Sequence, residues 1–334
     1  MARTLLVLAT LALLGGGFVA WHIFFPAGRM PQTVEIKIEP GESFSTVVRK
    51  LREHRIIDNE AIFYLWARLS GAEKKIQWGL YRFELPLSPY RVLKQMVSGK
   101  RVFHRVTIPE GLTVKEIAEL LAGLAIVDKQ RFLTEAASPD FLAELGVRGR
   151  TIEGYLFPDT YQFVPATPER EIIRVMVQQF RRMVEPLARQ QAPGGLTPHE
   201  ILILASIIEK ETAIDAERPL VSAVFHNRLR LNMPLQSDPT VIYGIKEFDG
   251  NLTRKDLQHP SPYNTYRTAW LPPGPICNPG LSSIKAALEP ASVPYLYFVS
   301  KNDGTHFFSE TLEAHNRAVR VYQRRAESAP ARVR

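Results

Sequence analysis

The residues from Pro198 to Thr212, PHEILILASIIEKET, bring together what acid catalysis needs: a carboxyl and an apolar surface to hold it against. Eight apolar or small residues, Ile201 to Ile208, run straight into Glu209. Thr197, Pro198 and Glu200 supply a cap, a proline suited to the first helical position and a capping-box acid, so the segment reads as a helix start. On that helix Glu209 shares a face with Leu202, Ala205 and Ser206, seven, four and three residues earlier. A carboxyl on an apolar face loses solvation and can keep a proton near neutral pH, which is the property of a general acid. Periodicity alone favours a plainer reading, in which the helix surfaces at Ile208 and Glu209-Lys210-Glu211 is its wet end.

Other carboxyls stand nearby in the chain. Glu209, Glu211, Asp215 and Glu217 crowd one helix end and the turn after it, while Glu153, Asp159 and Asp238 sit in aromatic or turn-rich motifs. Among them are side chains of the kinds that bind sugars: Tyr155, Tyr161, Asn227, Gln236, Tyr243, Tyr263, Asn264, Tyr266 and Asn278. Amides and hydroxyls hydrogen-bond sugar hydroxyls, and aromatic faces cover sugar C–H patches. Glycosidic cleavage commonly needs a protonated acid at the leaving oxygen and usually a second carboxylate. The composition permits that chemistry without establishing it, because Asp159 and Asp238 also suit turn capping.

Other chemistries find less support. The eight histidines are never three to five residues apart, so no helix presents a paired metal-ligand set. Ser282-Ser283-Ile284-Lys285 matches S-x-x-K, but no K-T-G follows, and Ser282 after Pro279-Gly280 reads as a helix cap. The sequence has no G-x-S-x-G, P-loop or dinucleotide glycine pattern. Neither a metal nor an organic cofactor is expected.

Several elements must position these residues. Spacing predicts helices over Glu169–Arg189, His199–Thr212, Glu217–Leu231, Leu281–Leu288 and His315–Arg325, with a strand at Tyr295–Val299. After Asn232 the chain is rich in proline and turns. Such long stretches either line a site or are disordered, and the aromatic content argues against disorder. Upstream, Ile38-Glu39-Pro40-Gly41-Glu42-Ser43 and Ile108-Pro109-Glu110-Gly111-Leu112-Thr113 lie 70 positions apart. Each opens a strand, a glycine turn and a helix capped by Ser43 or Thr113. The same offset relates Ile57-Asp58 to Val127-Asp128. Two copies suggest either duplicated α+β modules or a recurrent local unit. The first copy continues through a helix near Ala61–Leu69, a strand near Tyr81–Glu84 and a helix after Ser88-Pro89.

At 334 residues, 45% hydrophobic and 23% charged, the chain can form two or three domains with a real core. The single Cys277 excludes an internal disulfide framework. A net charge of +8 suits an anionic membrane or polyanionic wall, and no aromatic-basic pattern points to nucleic acid. Thr4 to Phe25 carries no charge, and its length just spans a bilayer. Arg3 favours a cytoplasmic N-terminus, although Arg29 on the far side weakens the asymmetry, and Gly15-Gly16-Gly17 and His22 make the span imperfect. A cleaved signal peptide is the rival, but no A-x-A site follows the apolar run. An uncleaved anchor with the rest of the chain exported is the expectation.

Several motifs follow one another in order: Glu153-Gly154-Tyr155-Leu156-Phe157-Pro158-Asp159-Thr160-Tyr161, then Leu204-Ala205-Ser206-Ile207-Ile208-Glu209-Lys210-Glu211-Thr212, then Gln236-Ser237-Asp238-Pro239-Thr240-Val241-Ile242-Tyr243-Gly244. Tyr263-Asn264-Thr265-Tyr266, Leu271-Pro272-Pro273-Gly274-Pro275-Ile276, Asn278-Pro279-Gly280, and His306-Phe307 with His315-Asn316 complete the series. Taken in this order, they resemble the MltG/YceG-like family of endolytic murein transglycosylases. The resemblance implies an α+β chain with a transmembrane helix, a LysM-like module and a mixed catalytic domain with long site-forming loops. The expected divisions are a short cytoplasmic N-terminus (1–3), an anchor (4–25), a linker (26–33), a LysM-like module (34–105), a second half-repeat or connector (106–150), a YceG-like catalytic domain (151–322) and a basic tail (323–334).

The implied reaction is non-hydrolytic cleavage of the β-1,4 bond between N-acetylmuramic acid and N-acetylglucosamine within nascent strands. It leaves a 1,6-anhydro end and so terminates glycan elongation. The substrate's own C6 hydroxyl attacks, so one glutamate suffices as acid and then base. The resemblance assigns that role to Glu209, the first glutamate of E-K-E-T. Glu211 points about 200° away on a regular helix and is expected to be structural or supporting. Gln236, Asp238, Tyr263 and Asn264, with Glu153 and Asn227, are expected either to contact glycan and orient Glu209 or to hold loops together. The implied location is the bacterial inner membrane, single-pass, with the catalytic domain periplasmic. Glycan strands are the implied partner, and peptidoglycan synthases are candidate protein partners. Two competing readings are a non-catalytic wall-binding scaffold and a hydrolase of the same bond with Asp238 or Glu217 as base.

Overall fold

The computed structural model describes residues 2–26, 30–164, 167–187 and 192–323. Arg29 and the basic tail from Arg324 onward lie outside the described residues. The chain divides into two compact units, one running to Val106 and including Gln162–Thr167, the other made of Thr107–Tyr161 and Pro168 onward.

The first unit begins with helix α1 (Ala2–Phe24), whose Thr4–Phe24 stretch has a mean hydropathy of 2.0 and no burial within the protein, so it is apolar and long enough to cross a membrane. Strand β1 (Gln32–Ile38) follows, then α2 (Phe44–Glu53), α3 (Glu60–Leu69), β2 (Gly79–Leu85) and α4 (Pro89–Val97). β1 pairs antiparallel with β2, with Ile36 opposite Tyr81 and Ile38 opposite Gly79. Alternate residues of both strands turn inward, so Ile36, Ile38, Tyr81, Phe83 and Leu85 form one wall of a core closed by Leu51, Phe63, Val92 and Met96. Burying each of these side chains stabilises the unit by about 1.5–3 kcal/mol. The Tyr81 hydroxyl keeps its hydrogen bonds inside that core by donating to the carbonyls of Gln77 and Met96, at 2.6 and 3.1 Å.

The 70-residue repeat is visible in backbone detail. Gly41 and Gly111 take φ values of 79° and 78°, and Ser43 and Thr113 cap the helices that follow. The helices end alike as well: Arg55 and Ala125, again 70 apart, both turn left-handed at φ 55° and 54°. Asn59 and Asp128 then cap the next helix of each copy.

From Thr107 onward the second copy belongs to the second unit. Strand β3 (His104–Thr107) leads to α5 (Val114–Gly123), α6 (Lys129–Ala136) and α7 (Pro139–Glu144). The stretch 106–150, expected as a half-repeat or connector, therefore packs with the region that carries the candidate site. β4 (Thr160–Phe163) pairs with β3, and α8 (Glu169–Val184) and α9 (Pro198–Glu211) follow. Next come α10 (Arg218–Arg230), α11 (Asp238–Gly244), α12 (Leu281–Leu288), the antiparallel hairpin β5 (Tyr297–Ser300) with β6 (His306–Ser309), and α13 (Leu312–Tyr322). α9 is the hub, touched by α10, α11 and α12. The sequence pattern places the larger helices within a few residues. The main additions are α6, α7 and β4, α11 within the loop-rich segment after Asn232, and the hairpin partner β6.

Candidate active site

α9 holds its position from every side. Its start is the expected capping box: Thr197 accepts from the Glu200 N–H, and Glu200 accepts from the Thr197 N–H at 2.8 Å. All residues from Ile201 to Ile208 are buried, so this helix has no wet face before its last turn. Ser206, fully buried, donates its hydroxyl to the Ile203 carbonyl and accepts from the Ile276 N–H, tying the 271–280 loop onto the helix. The two glutamates of the last turn are thus held on a fixed base.

Glu209 does not rest on the apolar face expected for it. One carboxylate oxygen takes the Arg218 guanidinium at 3.1 Å, the other accepts from the Gly280 N–H at 3.0 Å, and both side chains of the pair are 6% exposed. Arg218 also reaches Asp215 at 2.9 Å and the Ser283 hydroxyl at 2.9 Å. Glu110, from the Gly111 turn, lies against the same guanidinium at 3.9 Å, and Gly280 leaves the space that Glu110's carboxyl fills. Burial and the nearby Glu209 charge push Glu110 above the usual carboxylate range. This arrangement is a buried Glu209–Arg218 pair with Asp215 and Glu110 at its exposed rim, and both Glu209 oxygens are occupied.

Glu211 leaves the helix in another direction and meets a cavity of about 470 Å³. Gln236, Asp238, Tyr266, His306 and His315 share its walls with Arg228 and residues of β5 and α13. The Ser237 hydroxyl donates to Glu211. Burial pushes the Glu211 carboxyl up to about 7; Asp238's charge adds to the rise, and Ser237 and Arg228 oppose it. The walls are braced independently. Gln236 takes a left-handed φ of 54°, its N–H donates to the Thr265 carbonyl, and its side-chain oxygen accepts from Arg228. Tyr266 donates its hydroxyl to Asp238 at 2.6 Å. His306 is fixed by Glu217, which takes Nδ1 at 2.7 Å and the backbone N–H at 2.9 Å. His315 stacks near Tyr297, burial holds its imidazole below the usual range, and its Nδ1 has no hydrogen-bond partner among the described residues.

The remaining expected residues fall into place as braces. Glu153, 5% exposed, accepts from the Val114 N–H, the Tyr243 hydroxyl and the Asn278 amide, and burial pushes it up to about 8. Asn264 is fully buried and donates to the carbonyls of Leu257 and His259. Asn227, 8% exposed, donates to those of Val293 and Tyr295. These amides are committed to loop backbone, which leaves them no free donor for a sugar. Tyr263 stays half-buried with its ring 4.9 Å from Tyr243. Asp159 accepts from Thr160 and Gln179, as the turn-capping reading had it.

Of the expected site residues, the structure gathers Glu211, Gln236 and Asp238 around one cavity. Arg228, His306 and His315 join them there without having been expected. The two histidines did stand in the closing motif. Arg228 gave no signal among the arginines of its helix. Among the described residues, no three His, Cys, Asp or Glu side chains converge to hold a metal ion.

Known proteins share this arrangement of elements. The YceG-like family model matches residues 36–321. An endolytic murein transglycosylase of Bacillus subtilis (strain 168) is 34% identical over 306 residues, covering 87% of this chain and 85% of its own. Another, from Streptococcus pneumoniae serotype 2, is 28% identical over 318 residues; this match takes in 86% of the present chain but only 58% of that longer protein. The 2.6 Å crystal structure of a yceG-like protein from Listeria monocytogenes superposes with a TM-score of 0.60 at 32% identity, covering 85% of this chain and 98% of that one. With the match running across both units and the fold shared, the chain belongs to the YceG-like family.

Proposed function

We propose that this protein is an endolytic lytic transglycosylase of peptidoglycan, a lyase, and that Glu211 is its acid in place of the Glu209 expected from the motif. The observation that carries the assignment is the Glu211 carboxyl itself: it lines a cavity of about 470 Å³, a size suited to small ligands, and is pushed up to about 7. A group that must first give and then take a proton works best with a pKa near the working pH.

In this reading the glycan lies across the cavity with the bond between N-acetylmuramic acid and N-acetylglucosamine at Glu211. Glu211 gives its proton to the glycosidic oxygen as the bond from that oxygen to C1 breaks. The C6 hydroxyl of the same muramoyl residue then bonds to C1 and returns its proton to Glu211. No water is consumed, and the product ends in a 1,6-anhydro ring. Burial holds the proton on Glu211 and Asp238's charge adds to that hold, while the amide of Gln236 and the imidazoles of His306 and His315 contact sugar hydroxyls. The Glu209–Arg218 cluster holds the end of α9 in place.

α1 serves as a single-pass anchor in the bacterial inner membrane, with the N-terminus cytoplasmic and the catalytic unit outside. Its length and hydropathy support the membrane span. The strand–helix–helix–strand order of residues 32–85 supports a LysM-like first unit. Strands cut during synthesis would end there, which makes the enzyme a terminator of elongation and peptidoglycan synthases its natural neighbours.

The test is digestion of purified murein sacculi with mass spectrometry of the products. Anhydro-muramoyl ends are expected. Ends one water heavier would instead make the enzyme a hydrolase, and bound but intact sacculi would leave a scaffold.

A further inference from the structure

Helix α3 is apolar on the wrong side. Its sequence, EAIFYLWARL, has only Glu60 and Arg68 as charged residues. Phe63 and Ala67 already fill the core, yet Leu65 is 57% and Leu69 79% exposed. With Ala61, also exposed, they stand at i, i+4 and i+8, which makes a continuous apolar stripe on the outer face. A helix that is apolar all round normally sits in a core or against lipid.

The stripe lies beside the apolar span. α1 packs on α3 and α4 through its last turn, where Ile23 is 6% exposed. An aromatic chain marks the junction: Phe24 lies 5.5 Å from Tyr90, and Tyr90 lies 6.0 Å from Trp66 of α3. Trp66 neighbours Leu69 one turn on, so the exposed stripe flanks the end of the span. Tyr and Trp at such a level are the side chains that settle at a membrane interface. The segment that carries the stripe is mostly positive: residues 60–100 hold seven Lys and Arg against three Glu. Arg68 ends the stripe, Lys94 stands over the Tyr90 ring at 6.0 Å, and exposed Lys74 and Lys75 follow α3 in a short turn that packs against it.

We propose that the outer face of α3, with Leu65 and Leu69 as its apolar contacts and these cations as its rim, rests on the anionic lipid surface around the end of α1. This inference rests on α1 being a membrane anchor. Contact of this kind joins shallow apolar insertion to attraction for anionic headgroups. It would hold the first unit on the bilayer in one orientation and so set where the unit meets glycan.

The full chain is placed in nanodiscs of mixed phosphatidylglycerol and phosphatidylcholine, with an environment-sensitive fluorophore on a single introduced thiol. Cys277 is fully buried and does not compete for the label. Three variants are compared: Leu69→Cys, Glu53→Cys at the exposed end of α2 as the solvent reference, and Leu11→Cys within α1. The expected result is that a lipid carrying a nitroxide near its headgroup quenches the label at 69 several-fold more than the label at 53. Quenching at 69 should fall sharply when the phosphatidylglycerol is replaced by neutral lipid. If the label at 11 is quenched by a deep nitroxide while 69 behaves like 53, the docking face is overturned and the anchor stands. A label at 11 that no lipid quenches would overturn both. Quenching at 69 that is undiminished in neutral lipid would overturn the choice of anionic headgroups.

Discussion

Glu209 and Glu211 stand two positions apart on α9, and on a helix that spacing turns one carboxyl about 200° from the other. Glu209 points into a cluster where an arginine and a backbone N–H occupy both of its oxygens. Glu211 points into a cavity, where one serine hydroxyl holds it and burial lifts its carboxyl to about 7. The first environment takes up both oxygens of its carboxyl, and the second keeps a proton available. A carboxyl's use is therefore decided by what the distant chain brings to it, here Arg218 and Gly280 on one side and Ser237 with Asp238 on the other.

The largest contrast should come from neutral amides at the two positions. Glu211→Gln removes the titrating group and should lower anhydro-product formation by about 10²–10⁴-fold, the range of a single acid–base group, with melting temperature near that of the parent. Glu209→Gln should still cleave, but it leaves the buried Arg218 short of a partner and should lose about 1–3 kcal/mol of stability in denaturant unfolding.

The pH profile sharpens the same distinction. Cleavage needs Glu211 protonated in its first step, so the rate should fall about tenfold per unit as pH rises above about 7. Folding stability should fall over the same side. Glu211 at about 7 and Glu153 at about 8 both lie above the ordinary value of 4.5, so the folded state holds protons that the unfolded state has released. Their contribution is complete below about 4.5 and is lost as pH rises through about 7 and about 8. Melting temperature should therefore decline from acid to alkaline pH, and Glu153→Gln should flatten the upper part of that decline.

A smaller effect is expected at Asp238. Its charge helps to raise Glu211, so Asp238→Asn should move the alkaline limb of the rate profile to lower pH without moving the melting temperature much. The smallest belongs to the other cluster. Asp215 is 79% exposed, and Asp215→Asn should cost about 0–1 kcal/mol and leave cleavage unchanged. A large loss of activity there would mean that the Arg218 cluster takes part in the chemistry.

Local features of the fold were legible in the sequence because their causes are local. The repeat from Gly41 to Gly111, the Thr197 capping box and the apolar run of α9 all act within a few residues, and each appears where the pattern places it. The distinction between Glu209 and Glu211 was not legible. An apolar face could pick out Glu209 only if α9 had one wet side, and α9 is buried all round up to Ile208. The partners that decide each carboxyl come from Gly280, 71 residues away, and from Ser237, 26 away. Sugar-binding residue types are ambiguous for a related reason. An amide such as Asn264 or Asn227 serves a loop carbonyl and a sugar hydroxyl equally well, and only packing shows that both are spent on backbone. α11 stayed hidden because its proline-led, seven-residue helix resembles the turns around it.

The most direct test puts the two glutamates side by side on one substrate. Purified Glu209→Gln and Glu211→Gln, each first shown to be folded by its melting curve, are incubated with murein sacculi, and released fragments are weighed. Anhydro-muramoyl products are expected from Glu209→Gln and almost none from Glu211→Gln. Products from Glu211→Gln at the parent rate, with a folded Glu209→Gln left silent, would contradict it and return the acid to Glu209.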